Sequence, residues 1–215
     1  MSTHDRIVGR AAPLPINNVD TDQIMPKQFL RGIDKSGLAP GVFYDLRHDE
    51  QGAIRPDFVL NQPSYAGADI LIAGANFGCG SSREHAVWGL LQFGIRAIIA
   101  PSFGEIFYSN AMNNRLMLVM LDETEIAALL AEADHSAGPL PIAIDVRAGT
   151  VASSGVQASF DLPPRLRAMY LNGHDMIGAT LTHAAAIEAF AHARGEQRPW
   201  VRDVAGKTMT RLDGM

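Results

Sequence analysis

Cysteine is nearly absent: Cys79 stands alone among 215 residues. One thiol forms neither an internal disulfide nor a cysteine-held metal or iron–sulfur site, and its isolation points to a reducing, cytoplasmic setting. Basic clusters are missing too. The 18 Lys and Arg are scattered against 23 Asp and Glu, for a net charge of −5, so nothing draws the chain toward nucleic acid or an anionic membrane. No apolar run is long. Stretches such as Leu116-Met-Leu-Val-Met-Leu121 fall well short of the roughly 18–20 residues of a membrane span. The opening Met-Ser-Thr-His-Asp-Arg lacks the apolar core of a signal peptide. Internal repeats and low-complexity segments are also lacking. What remains, 47% hydrophobic and 19% charged, is ordinary for a soluble globular chain able to bury a core without staples.

The first third is rich in Pro, Gly, Asn and Asp and reads as loop-dominated, with a short helix near residues 27–30. Residues 31–66 carry breakers at Gly32, Gly37, Pro40, Gly41, Gly52, Pro56 and Pro63. Such a stretch inside a compact domain is functional or mobile, and order is expected there only on docking to a partner. The middle is regular. Apolar runs at 69–73, 95–100 and 116–121 read as buried parallel strands. Helices at 82–93, 101–112 and 122–133 alternate with them, Gly94 stops the first, and Ser102 with Glu105 has capping-box spacing for the second. This is an α/β core. Residues 142–146 and 156–160 alternate around a turn, as antiparallel partners do. Helices are expected at 163–172 and 180–194, then a polar tail over 196–215, leaving one domain at 1–195.

The chemistry concentrates in Asn76-Phe-Gly-Cys-Gly-Ser-Ser-Arg-Glu-His85, between the first core strand and its helix. Glycines permit close backbone approach, a helix N-terminus favours an anion, and Arg83 offers a two-point grip on a carboxylate. Ser81 and Ser82 add hydroxyls. Residue types alone leave a second reading open, in which Ser81 and Glu84 form a capping box and Arg83 is solvated. The loop is not a P-loop, and Arg83 stands where a dinucleotide turn needs its third glycine. A second cluster, Val19-Asp-Thr-Asp-Gln-Ile-Met-Pro26, holds Asp20 and Asp22, suited to acid–base or orienting roles or to an Asx-type turn. Arg31 follows, within reach of a ligand. The Asn pair in Met112-Asn-Asn-Arg115 reads as a C-cap and turn.

The 76–86 string resembles the signature of the 3-isopropylmalate dehydratase small subunits and the matching loop of the aconitase swivelling domain. Asn18-Val-Asp-Thr-Asp-Gln-Ile-Met-Pro-Lys-Gln-Phe-Leu30, Pro56-Asp-Phe-Val-Leu-Asn61, Ile98-Ile-Ala-Pro-Ser-Phe103 and Ile106-Phe-Tyr-Ser-Asn110 look like that family too, in its order, so the likeness runs from about Ile7 to Phe190.

The resemblance implies a swivelling β/β/α domain, a mostly parallel sheet with flanking helices and an antiparallel annex. It implies a hydro-lyase of leucine biosynthesis that removes water from 2-isopropylmalate and returns it at the neighbouring carbon. A 4Fe–4S cluster with one open iron belongs, in such enzymes, to a separate large subunit that this chain covers in a heterodimer or larger assembly, with none bound here. By the same resemblance Ser81 is the alkoxide base, and the Ser82 N–H and Arg83 hold a substrate carboxylate. Asp22 orients a histidine of the large subunit, although Gln23 replaces the histidine of the aconitase Thr-Asp-His-Ile stretch. Arg31 is matched only loosely to a substrate-binding arginine and would suit a third carboxylate, which keeps homoaconitate or a citrate-like acid open as alternative substrates, beside citramalate as a shorter-chain malate derivative.

Overall fold

The computed structural model describes residues 5–30, 35–136 and 138–214. Two compact units divide it, Met1–Asp175 and Met176–Met215.

The first unit is built on seven strands, among the described residues, in the order β4-β3-β2-β1-β5-β6-β7. They are β1 (Arg6–Leu14), β2 (Ile70–Ala73), β3 (Ala97–Ala100), β4 (Met117–Met120), β5 (Leu140–Asp145), β6 (Thr150–Ala152) and β7 (Gln157–Ser159). β1 to β4 run parallel; β5, β6 and β7 continue the sheet antiparallel. The expected parallel core and antiparallel annex are both present, in equal numbers of pairings. Every residue of β2 and β3 is buried, as parallel strands covered by helices require. Each fully buried Ile or Leu there contributes about 1.5–3 kcal/mol of hydrophobic stabilisation.

Two strands depart from the sequence pattern. β1 lies in the stretch that reads as loop, yet it joins the two halves: Ala11 pairs with Ile70 on one side and with Leu140 on the other. Gly9 and Pro13 blur its alternation, and only the non-local pairing makes it a strand. β6 lies inside the stretch that reads as a turn. It pairs with both β5 and β7, so the two expected annex strands do not pair with each other.

The helices α1 (Thr21–Ile24), α2 (Tyr44–Arg47), α3 (Glu84–Phe93), α4 (Glu105–Asn113), α5 (Glu123–Asp134) and α6 (Pro164–Asn172) complete this unit. α3 buries Ala86, Val87, Gly89 and Leu90 and ends at Gly94, whose φ of 107° suits glycine. α5 opens with a capping box between Asp122 and Glu125 and packs on β1 and β2. The expected lack of order over 31–66 is not what residues 35–66 show. Short 3-10 turns alternate there with α2, and Leu38, Val42 and Phe43 are buried in the core. Breakers set sharp turns there; three apolar anchors hold the path.

The second unit holds α7 (Met176–Leu181), α8 (Ala184–Gln197) and α9 (Val204–Asp213). The segment that reads as a polar tail carries α9, capped by Asp203, whose carboxylate accepts from Gly206 N–H at 3.1 Å. No helix among the described residues is long and apolar enough to cross a membrane.

Candidate active site

Parallel strands place their functional loops beyond their C-terminal ends. Here the loops after β1, β2 and β3 meet. The β1 and β2 loops are zipped by backbone: Asn18 N–H donates to Ala75 O at 2.8 Å, Gly78 N–H to Val19 O at 2.7 Å and Thr21 N–H to Cys79 O at 2.9 Å. The Asn17 carboxamide oxygen accepts from Ala75 N–H at 2.8 Å, and Asn76 Nδ2 donates to Asn18 Oδ1 at 2.9 Å. The β3 loop closes the other side, with Phe77 N–H on Ser102 O at 3.1 Å and Gly104 N–H on Phe77 O at 2.9 Å. Gly78, at φ 75°, is what lets the β2 loop turn tightly under this zipper. A Cβ there would collide with the ring of Phe107, which itself meets Phe77 edge-on at 5.6 Å.

The zipper carries Ser81 and Ser82 exposed to solvent, beside the half-buried Arg83. The capping-box reading of this loop does not hold. The residue before α3 is Arg83, which makes no side-chain cap. Glu84 instead accepts from Asn114 Nδ2 at 2.6 Å, and Ser81 turns toward Thr21. Nor is Arg83 merely solvated, because its Nη1 is bound to the Asp22 carboxylate. Asp22 is free for this because Asp20 does the capping: Asp20 Oδ1 accepts from Gln23 N–H at 2.7 Å, and Gln23 Oε1 from Asp20 N–H at 3.0 Å. The Asx-type reading is right for Asp20 alone. Ser102, expected to cap α4, accepts from Asn76 N–H at 2.9 Å, and Gly104 takes the cap position.

The structure therefore brings Ser81, Ser82, Arg83 and Asp22 together, and Arg31 lies outside the described residues. Thr21 does not stand out in the sequence. It is the buried polar residue of the described chain, 1% exposed. Its Oγ1 donates to Ser81 O at 2.9 Å and lies 3.2 Å from Ser81 Oγ. Asn114 is more than the simple cap its sequence position suggests. It does cap α4, but its side chain also accepts from Trp88 Nε1 at 3.0 Å, so it steadies α3 from two sides. A local signal exists for Thr21: the Asp20–Gln23 box puts it at the first helical position, facing inward. Nothing local indicates its partner, which is 60 residues away.

A groove of about 270 Å³ lies at the roots of the same loops, lined by residues including Asn17, Gly74, Pro101, Ile126 and Leu130. Ser81, Ser82 and Arg83 do not line it; the two serines are exposed and Arg83 is half-buried beside them. The donor set does not fit an iron–sulfur cluster. Cys79 is the only thiol of the chain, and its Sγ lies 3.5 Å from Asn18 O. No group of three or more His, Cys, Asp or Glu among the described residues is placed to hold a metal.

Comparison with known proteins adds to this geometry. Residues 1–124 match the model of the aconitase C-terminal domain, and residues 176–204 match that of the C-terminal domain of the 3-isopropylmalate dehydratase small subunit. The 3-isopropylmalate dehydratase small subunit 1 of Chromobacterium violaceum is 60% identical over 212 residues, 99% of this chain and 100% of that protein. The small subunit of Phenylobacterium zucineum is 48% identical, covering 94% and 98%. The crystal structure of 3-isopropylmalate dehydratase from Methanocaldococcus jannaschii superimposes with a TM-score of 0.61 at 29% identity, over 86% of this chain and 99% of that one.

Proposed function

This chain belongs to the family of 3-isopropylmalate dehydratase small subunits, with an aconitase C-terminal domain in its first part, and from that premise we propose how its own residues serve the reaction. It acts as the small subunit of a hydro-lyase that converts 2-isopropylmalate to 3-isopropylmalate through 2-isopropylmaleate, in leucine biosynthesis. In the first half, one carbon loses a proton and its neighbour loses hydroxide, which leaves as water once protonated. In the second half, water returns with the two positions exchanged, so atoms balance and no net oxidation occurs.

Ser81, as alkoxide, takes the proton from carbon and gives it back to the other carbon. A serine hydroxyl is a poor base in water, so its deprotonated form needs positive charge and N–H donors nearby. Arg83 and the first turn of α3 lie next to it in the chain and supply both. Arg83 has five N–H donors. Asp22 takes Nη1, fixing the guanidinium plane and leaving the others for a substrate carboxylate, with the Ser82 N–H beside it. Asp22 is thus engaged within this chain as the anchor of Arg83, and a large-subunit histidine would share it.

The observation that carries this reading is the zipper of the β1 and β2 loops. It holds the exposed Ser81 and Ser82 beside a half-buried Arg83 that Asp22 has already oriented. That is half of a site. The other half, with the cluster's Lewis-acid chemistry, falls to a large subunit, because one cysteine cannot ligate it. The test is to mix the purified chain with a cluster-bearing large subunit and follow isopropylmaleate absorbance. Turnover is expected only in the mixture, lost with Ser81→Ala, and retained with raised KM in Arg83→Lys, which loses the bidentate fork. Equal turnover by the large subunit alone would refute it.

A further inference from the structure

We propose that Thr21 is a positioning residue for Ser81: its buried hydroxyl swings its single hydrogen from the Ser81 carbonyl to Ser81 Oγ when that oxygen has lost its proton. The inference rests on the reading of Ser81 as the base and adds to it the group that holds its two protonation states.

The geometry is that of a hydroxyl with two acceptors and one hydrogen. Thr21 Oγ1 is 2.9 Å from Ser81 O and 3.2 Å from Ser81 Oγ. With Ser81 neutral, Thr21 donates to the carbonyl and the Ser81 hydroxyl donates to Thr21 Oγ1. With Ser81 deprotonated, that second bond has no hydrogen. Rotation about Cβ–Oγ1 then turns the Thr21 hydrogen onto the alkoxide, a shorter and stronger charge-assisted bond. No covalent bond changes. When the alkoxide takes the substrate proton, the hydroxyl is restored and Thr21 turns back.

The swing leaves nothing stranded. The Ser81 carbonyl keeps a second donor, Arg83 N–H at 2.9 Å. Thr21 itself is fixed: 1% exposed, stiff at χ1, its N–H on Cys79 O and its carbonyl accepting from Met25 N–H at 3.0 Å. The charged side chains around Ser81 come from its own loop and from the β1 loop. Arg83 is bound to Asp22, Asp20 is engaged by Gln23 N–H and Glu84 by Asn114 Nδ2, and the Thr21 hydroxyl is directed at Ser81.

The test uses the assembled enzyme with Thr21→Val, which keeps the shape and removes the hydroxyl, and Thr21→Ser, which keeps the hydroxyl. Thr21→Val is expected to lower kcat by about 10²-fold, the scale of one lost oxyanion donor. KM should stay unchanged and the acid limb of the kcat profile should move to higher pH. Thr21→Ser is expected to restore both kcat and the limb. A folded Thr21→Val complex with wild-type kcat and limb, beside an inactive Ser81→Ala, overturns this proposal alone. An active Ser81→Ala overturns the reading beneath it. Should Thr21→Val fail to fold or dock, Thr21→Ser decides: a displaced limb despite the hydroxyl overturns the proposal, and an unmoved limb supports it.

Discussion

Replacing Gly78 by alanine tests whether the site loop is held by packing beneath it. Two costs follow from the structure. The first is conformational: φ is 75°, and an L-residue in that region costs roughly 1–2 kcal/mol. The second is steric. The new Cβ would lie within contact of three atoms of Phe107, its Cγ, Cδ1 and Cβ, and Phe107 is wedged against Phe77 in the core. Overpacking of this kind costs roughly 1–3 kcal/mol, for a total of about 2–5 kcal/mol. Gly94 isolates the steric part, since its φ is 107° and a Cβ there meets nothing within 4 Å. Gly94→Ala should therefore cost only about 1–2 kcal/mol. In urea unfolding followed by circular dichroism, with an m-value of ~2 kcal/mol/M, the Gly78→Ala midpoint should fall by about 1–2.5 M and that of Gly94→Ala by about 0.5–1 M. Gly78→Ala should also lose activity beyond its loss of stability, because Gly78 N–H is a tooth of the zipper to Val19. A Gly78→Ala midpoint no lower than that of Gly94→Ala would refute the packing argument.

Asn114→Ala removes the partner of both Trp88 Nε1 and Glu84 Oε1. Half-buried groups left unpaired cost about 1–3 kcal/mol together, which should lower Tm by roughly 2–12 °C in a chain of this size while leaving the indole fluorescence of Trp88 red-shifted. The Glu132 carboxyl is held below its ordinary range by the Ser153 hydroxyl first and then that of Ser154, with help from the Gly155 N–H. A depressed folded value means the contribution is present above the unfolded pKa of about 4.3 and is lost as pH falls through the folded one. Tm should therefore drop more steeply below about pH 4.5 in the wild type than in Glu132→Gln, by a small amount because the carboxylate is partly exposed. Parallel melting curves for the two proteins below that pH would contradict it.

The amino-acid sequence by itself determined the regular middle of this protein. Short apolar runs at 69–73 and 95–100 read as buried strands, the amphipathic segments after them as helices, and the loop from Asn76 to His85 then lies at a strand's C-terminal end. Ordered motifs marked the family, and one cysteine excluded a cluster. Tertiary structure decided what depends on residues far apart. It made Arg6–Leu14 a central strand by pairing it on both edges. It took Ser102 from its cap to hold Asn76, freed Asp22 by giving the cap to Asp20, and set Thr21 against Ser81 across 60 residues. Local propensity reports what a segment does with its own hydrogen bonds. A polar side chain between two equally good partners is settled only when burial removes water from one of them.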